Sequence, residues 1–219
     1  MAKSDTRNKI ICFDLDGTLV DSNLAHAKSF NLAFKANGLP EIPEEELISE
    51  FGPPAEKIIK KFFPNLKEDQ IKKIASDKVK YLIESTSKLT KPIANCKKAL
   101  KVLKKSFKVA LYSHCSSEEI ETLLKKAKLD KELFDAILDK SKIHEKPDLD
   151  IIDKIEEVVG GELEWIVGDT TYDIELGREG EIKTIAVLTG VHDLNTLRSA
   201  NPTAILESVS LIPLYLNSL

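Results

Sequence analysis

The chain has 219 residues, 42% of them hydrophobic, and a formal net charge of -4. That length buries one substantial core with room for a small second module, and the mildly acidic balance lacks the clustered positive charge of a nucleic-acid partner. No apolar run approaches the roughly 20 residues that cross a bilayer, and Cys12, Cys96 and Cys115 are too few and too far apart for a disulfide framework or a zinc motif. These features predict a cytoplasmic protein, monomer or dimer, with no nucleic-acid and no membrane partner.

In chain order, the first apolar run is KIICFDLD at 9–16, which reads as a buried strand ending in carboxylates. Residues 20–88 then carry helical patterns and no convincing strand. Asp21 or Ser22 can cap a first helix with Leu24, Phe30 and Phe34 on one face and Gly38 at its end. PEEELISEF, AEKIIKKFF and a run from Lys67 to Ser87 follow, broken by prolines at 40, 43, 53, 54 and 64. KKALKVLKKSF at 97–107 spaces its lysines as a solvated helix face does. Beyond it, KVALYS (108–113), FDAIL (134–138), EWIVGD (164–169), KTIAVLT (183–189) and TAIL (203–206) alternate with helical patterns. Alternation predicts an α/β fold, a doubly wound parallel sheet whose ligands bind beyond the carboxyl ends of the strands. The core is expected at 1–19 and 89–219, with a small helical cap at 20–88 above those ends.

Four separated signals carry chemistry. DLDGTLVDS at 14–22 sets Asp14 and Asp16 on one side of the chain before a glycine turn. Two such carboxylates repel unless a hard dication or a shared proton offsets them, and oxygen ligands suit magnesium. A calcium loop is excluded because that register would put Cys12 and Asn23 at ligand positions. Ser113 closes the second strand, where its hydroxyl and the following backbone N–H groups can meet a phosphate oxygen. Lys146 precedes a proline and a new helix in HEKPDLD. GDTTYD at 168–173 spaces Asp169 and Asp173 by one turn of a helix starting there. Each signal alone is ordinary: a turn, a helix cap, a surface lysine, capping carboxylates. With only Arg7, Arg178 and Arg198 among 32 basic residues, a phosphate anchor falls to lysine.

Taken in order, DLDGTLVDS, Ser113, Lys146-Pro147-Asp148 and GDTTYD resemble the haloacid dehalogenase superfamily over nearly the whole chain. DIELGREGEIKTIAVLTGV, the leucine-rich tail and the helical insert are similar to its phosphoglycolate phosphatase branch. The resemblance implies Asp14 as nucleophile, Asp16 as general acid and then base, and Ser113 and Lys146 stabilising the transferring phosphoryl group. It implies Mg2+ held by Asp14, Asp16 through its carbonyl, Asp169 and Asp173, the last through water or only as an orienting partner. Ser113, His114 and Lys146 become the substrate-binding set. The implied activity is hydrolysis of a small phosphorylated metabolite, phosphoglycolate first, then pyrophosphate, a nucleoside monophosphate or a sugar phosphate. A sugar phosphomutase of the beta-phosphoglucomutase type shares both aspartates and is the alternative, whereas haloalkanoate- and phosphonate-cleaving relatives lack the second. His114 and Cys115 depart from the asparagine and lysine common in close relatives, and the ordinary readings of Phe51 as a core aromatic, Lys57 as a solvated lysine and His26 as a helix-surface histidine outweigh roles in substrate choice.

Overall fold

The computed structural model describes residues 7–219. Strand β1 (Lys9–Phe13) leads through the short β2 (Val20–Asp21) into four helices, α1 (Asn23–Ala36), α2 (Glu44–Ile48), α3 (Ala55–Phe62) and α4 (Glu68–Glu84). The chain returns by β3 (Lys91–Pro92) and runs α5 (Cys96–Leu103), β4 (Lys108–Tyr112), α6 (Ser117–Lys126), β5 (Ala136–Leu138) and α7 (Asp150–Val159). It ends β6 (Glu162–Gly168), α8 (Thr171–Glu179), β7 (Lys183–Val187), α9 (Leu194–Ser199), β8 (Ala204–Leu206) and α10 (Ile212–Leu216).

Six strands form one sheet in the order β5-β4-β1-β6-β7-β8, every pair parallel. The fold is thus the α/β architecture that the alternation of runs predicts. Successive strand residues face opposite sides: Ile11, Phe13, Val109 and Leu111 join a core with α5, α6 and α10, while Ile10, Cys12, Ala110 and Tyr112 join one with α7 and α8. The chain winds outward from β1 to β4 and β5, then crosses back to β6 on the other side of β1. Loops after β1 and β6 therefore part in opposite directions and open a crevice between them.

Helices α1 to α4 close over an apolar cluster of their own, built on Phe30, Phe34, Leu47, Ile59 and Ile74. Two expectations for this segment need correction. A strand is present: Val20 and Asp21 pair antiparallel with Pro92 and Lys91, tying the two crossings between sheet and helices. The buried face of α1 carries Ala27, Phe30, Ala33 and Phe34, while Leu24 is 37% exposed. His26 takes an inward position on that helix instead, because its partner is a carboxylate below it. Among the described residues, no helix is long and apolar enough to cross a membrane.

Candidate active site

The crevice continues into a cavity of about 340 Å3 between the strand ends and the helices, and Asp14, Asp16, Ser113, His114, Lys146, Asp169 and Asp173 all line it. Asp14 directly follows β1, held by its backbone N–H donating to the Val167 carbonyl at 2.8 Å. The Lys146 ammonium, 6% exposed, pairs with Asp14 Oδ1 and lies 2.7 Å from Asp173 Oδ1. It also sits 3.9 Å from the centre of the Tyr112 ring, whose hydroxyl donates to Asp173 Oδ1 at 2.6 Å. A cation over an aromatic face with two carboxylates at its head is fixed in place.

Asp173 is fully engaged. Its other oxygen accepts from the Thr170 backbone N–H at 3.2 Å and the Thr170 hydroxyl at 2.7 Å. This is a capping box, with α8 starting at Thr171 and Asp173 three residues into the box. Asp169 thus stands outside the helix, not one turn back within it as the spacing suggests. Burial would raise the Asp173 carboxyl, yet Lys146, Thr170 and Tyr112 together hold it below the ordinary carboxylate range.

Asp169 accepts from the Thr18 hydroxyl at 2.9 Å and the Val191 backbone N–H at 2.8 Å. Two glycines leave it room. A Cβ at Gly190 would stand 1.8 Å from Asp169 Oδ2, and one at Gly17, whose φ is +76°, would stand 2.5 Å from the same atom. Burial, then the neighbouring Asp173, pushes the Asp169 carboxyl up to about 7. Asp14 is driven well above its usual value by burial and by Asp173, Asp169 and Asp16, against the pull of Lys146. A cluster this acidic, all oxygen and short of positive charge, fits a hard dication such as magnesium.

Asp16 stands apart from Lys146 in a second network. Oδ1 accepts from Ser22 Oγ and lies 3.0 Å from His26 Nε2, and Oδ2 accepts from the Cys115 thiol at 3.3 Å. Against burial, His26, Ser22 and Cys115 depress its carboxyl below the usual range. Ser22 therefore serves Asp16, and no side-chain bond caps α1. Ser113, read as a helix cap when taken alone, accepts from the Cys115 N–H at 3.1 Å, while Ser116 caps α6. His114 accepts the Lys146 backbone N–H on Nε2 at 3.2 Å, so its Nδ1 carries the proton donated to the Gly52 carbonyl at 3.0 Å. Burial, then Lys146, keeps this imidazole neutral.

Some residues at the site read as ordinary in the sequence, and Lys78 and Glu119 carry no signal there at all. His26 is 6% exposed against Asp16, and its only advance sign is that it follows Ser22 by four residues on one helix face. Lys78 on α4 and Glu119 on α6 form a buried ion pair at 2.7 Å at the cavity wall, joining helical segment to core. Phe51 lines the cavity with its ring 6.2 Å from that of His26. Lys57 does not, and pairs at the surface with Glu145 at 2.7 Å.

The family model described as haloacid dehalogenase-like hydrolase matches residues 11–187. The chain is 31% identical over 192 residues to a phosphoglycolate phosphatase from Aquifex aeolicus, covering 86% of this chain and 88% of that one. It is 30% identical over 197 residues to a protein from Clostridium perfringens named "Putative pyrophosphatase PpaX", covering 89% of this chain and 90% of that one. In fold it matches a hydrolase from Pseudomonas syringae with a TM-score of 0.83 at 20% identity, over 97% of this chain and 99% of the other. The chain belongs to the haloacid dehalogenase-like hydrolase family.

Proposed function

We propose that the chain is a magnesium-dependent phosphatase that hydrolyses a small phosphomonoester, phosphoglycolate first, through an aspartyl-phosphate on Asp14. The observation that carries this reading is the division of the cavity between two carboxylates with different partners. Asp14 has the ammonium of Lys146, while Asp16, two residues on, has Ser22, His26 and Cys115. That division supports a reading in which one attacks beside a cation and the other handles protons.

The Asp14 carboxylate attacks phosphorus in line, and Lys146 with the Ser113 hydroxyl balances charge on the phosphoryl oxygens. Asp16 gives its proton to the departing alkoxide and later takes one from the water that cleaves the acyl phosphate. In the free protein Asp16 favours the ionised form; an arriving phosphate dianion raises its proton affinity and loads it for the first half. Asp173 acts by orienting Lys146. Mg2+ held by Asp14, the Asp16 carbonyl and Asp169 would supply neutralisation of the phosphoryl charge. The helices α1 to α4 limit water entry and, through Phe51 and its neighbours, bear on the leaving group.

The test is a phosphate-release screen over phosphoglycolate, pyrophosphate, nucleoside monophosphates and sugar phosphates, with and without magnesium. Magnesium-dependent release that Asp14→Asn abolishes is expected. Unchanged turnover in that variant defeats the nucleophile assignment, and an isomeric sugar phosphate without inorganic phosphate would make the protein a mutase.

A further inference from the structure

Around the Asp16 side chain, sulfur, nitrogen and oxygen donors meet in a set unlike the all-oxygen cluster of Asp14 and Asp169. The Cys115 Sγ, the His26 Nε2 and a carboxylate oxygen of Asp16 all lie within 4.8 Å of one another, with Sγ 3.3 Å and Nε2 3.0 Å from Asp16 oxygens. They come from three places in the chain, the loop after β4, the first turn of α1 and the loop after β1, so no spacing in the sequence announces them. His26 and Cys115 are 6% and 7% exposed, and all three residues line the cavity.

A tetrahedral zinc ion binds thiolate at about 2.3 Å, imidazole at about 2.0–2.1 Å and carboxylate at about 2.0–2.2 Å, which sets neighbouring ligand atoms about 3.4–3.6 Å apart. The 3.3 Å from Sγ to Asp16 Oδ2 reaches that with a movement of a few tenths of an ångström, while Nε2, now 3.0 Å from the other oxygen, Oδ1, has to swing toward Oδ2. A sulfur, an imidazole and one carboxylate suit zinc, whereas magnesium takes oxygen. We propose that Asp16, His26 and Cys115 form a site for zinc or another thiophilic divalent cation, separate from the oxygen-lined Asp14 and Asp169 site, and that its occupation blocks the enzyme. On binding, the Cys115 thiol gives up its proton to water and the thiolate pairs with the metal. His26 offers the Nε2 lone pair with its proton on Nδ1, and Asp16 uses Oδ2 while Oδ1 keeps the Ser22 hydroxyl. The fourth position opens on the cavity and takes water. Carboxylate and thiolate together balance the dication, and the neighbouring Lys78 and Glu119 balance each other at 2.7 Å. Inhibition follows because Asp16 can no longer exchange a proton; that consequence rests on the phosphatase reading, while metal binding does not.

The test uses cobalt as a spectroscopic stand-in for zinc on the full chain with magnesium present. A thiolate-to-cobalt charge-transfer band that saturates at equimolar metal and is bleached by zinc is expected in the unaltered protein and in Asp14→Asn. It should vanish in Cys115→Ser and weaken in His26→Asn. In a phosphate-release assay at excess magnesium, Cys115→Ser should raise the inhibiting zinc concentration by at least about 10-fold relative to its own zinc-free rate, the scale on which changes even to the partners of metal ligands act. Absence of the band, or a band that persists in Cys115→Ser, overturns the site. A band without inhibition keeps the site but refutes its blocking of Asp16.

Discussion

Lys146 is a buried cation shared by Asp14 and Asp173 and laid against the Tyr112 ring, so its charge is already oriented before substrate arrives. On the proposed mechanism, replacing it by methionine removes the ammonium that would offset charge on the transferring group, and turnover should fall about 10²- to 10³-fold, the cost of losing one fixed electrostatic donor. Lys146→Arg should not restore it, because a planar guanidinium does not fit the socket of a point charge. Steady-state phosphate release on the two variants checks both statements. His26 acts through Asp16: with Ser22 and Cys115 it holds that carboxyl down. In His26→Asn the Asp16 carboxyl should titrate at higher pH, moving the acid limb of the pH-rate profile upward with a loss of about 10²-fold from mispositioning. An unmoved limb would show that His26 does not govern Asp16.

At the scale of elements, α4 and α6 are joined by the Lys78–Glu119 pair, 5% and 2% exposed. Removing one partner leaves the other charged and buried, which costs about 3–5 kcal/mol, whereas replacing both by apolar residues recovers much of it. Denaturant melts of Lys78→Met, Glu119→Leu and the double variant measure this. The pH dependence follows from the depressed acid: despite burial, Lys78 and His26 hold Glu119 at about 2 against an ordinary 4.5. A depressed carboxyl contributes in full above its unfolded value and loses that contribution as pH falls through its folded one. The stability gap between the unaltered protein and Glu119→Gln should therefore shrink between pH 4.5 and about 2. In the loop after β7, Gly190 leaves space for Asp169, since an added Cβ would meet Oδ2 at 1.8 Å. Gly190→Ala should keep the fold but raise the magnesium needed for half-maximal rate by about 10-fold or more; an unchanged magnesium titration would separate Asp169 from the metal.

At the scale of the molecule, the parallel sheet was legible because its strands are compact apolar runs alternating with helical patterns, three of them, at 9–16, 108–113 and 164–169, ending in acidic or hydroxyl residues. Asp14, Asp169, Ser113 and Lys146 were legible because strand ends and their loops collect at one edge of such a sheet. What was not legible depends on contacts between distant segments. Lys78 and Glu119 read as ordinary helix-surface charges until α4 packs on α6. Tyr112 reads as one more strand residue until its hydroxyl meets Asp173. The two-residue pairing of β2 with β3 is too short to leave a periodic trace. The helices α1 to α4 carry their own apolar cluster and meet the sheet portion through Ala25 and Leu82, which join its core, and through polar contacts, Lys78 with Glu119, His26 with Asp16 and His114 with Gly52. Amides of α1 to α4 should exchange with deuterium faster than those of β1, β4 and β6, and should slow when a phosphate mimic with magnesium fills the cavity. Equal rates in both parts would mean a single cooperative unit.

On the proposed mechanism Asp14 carries the phosphoryl group during turnover, and chemical trapping detects that intermediate. Protein turning over a phosphomonoester with magnesium is quenched in acid, reduced with borohydride and mapped by peptide mass spectrometry. The acyl phosphate on Asp14 should appear as homoserine at position 14, absent without substrate. Reduction at another residue, or an unmodified Asp14 under active turnover, contradicts the account.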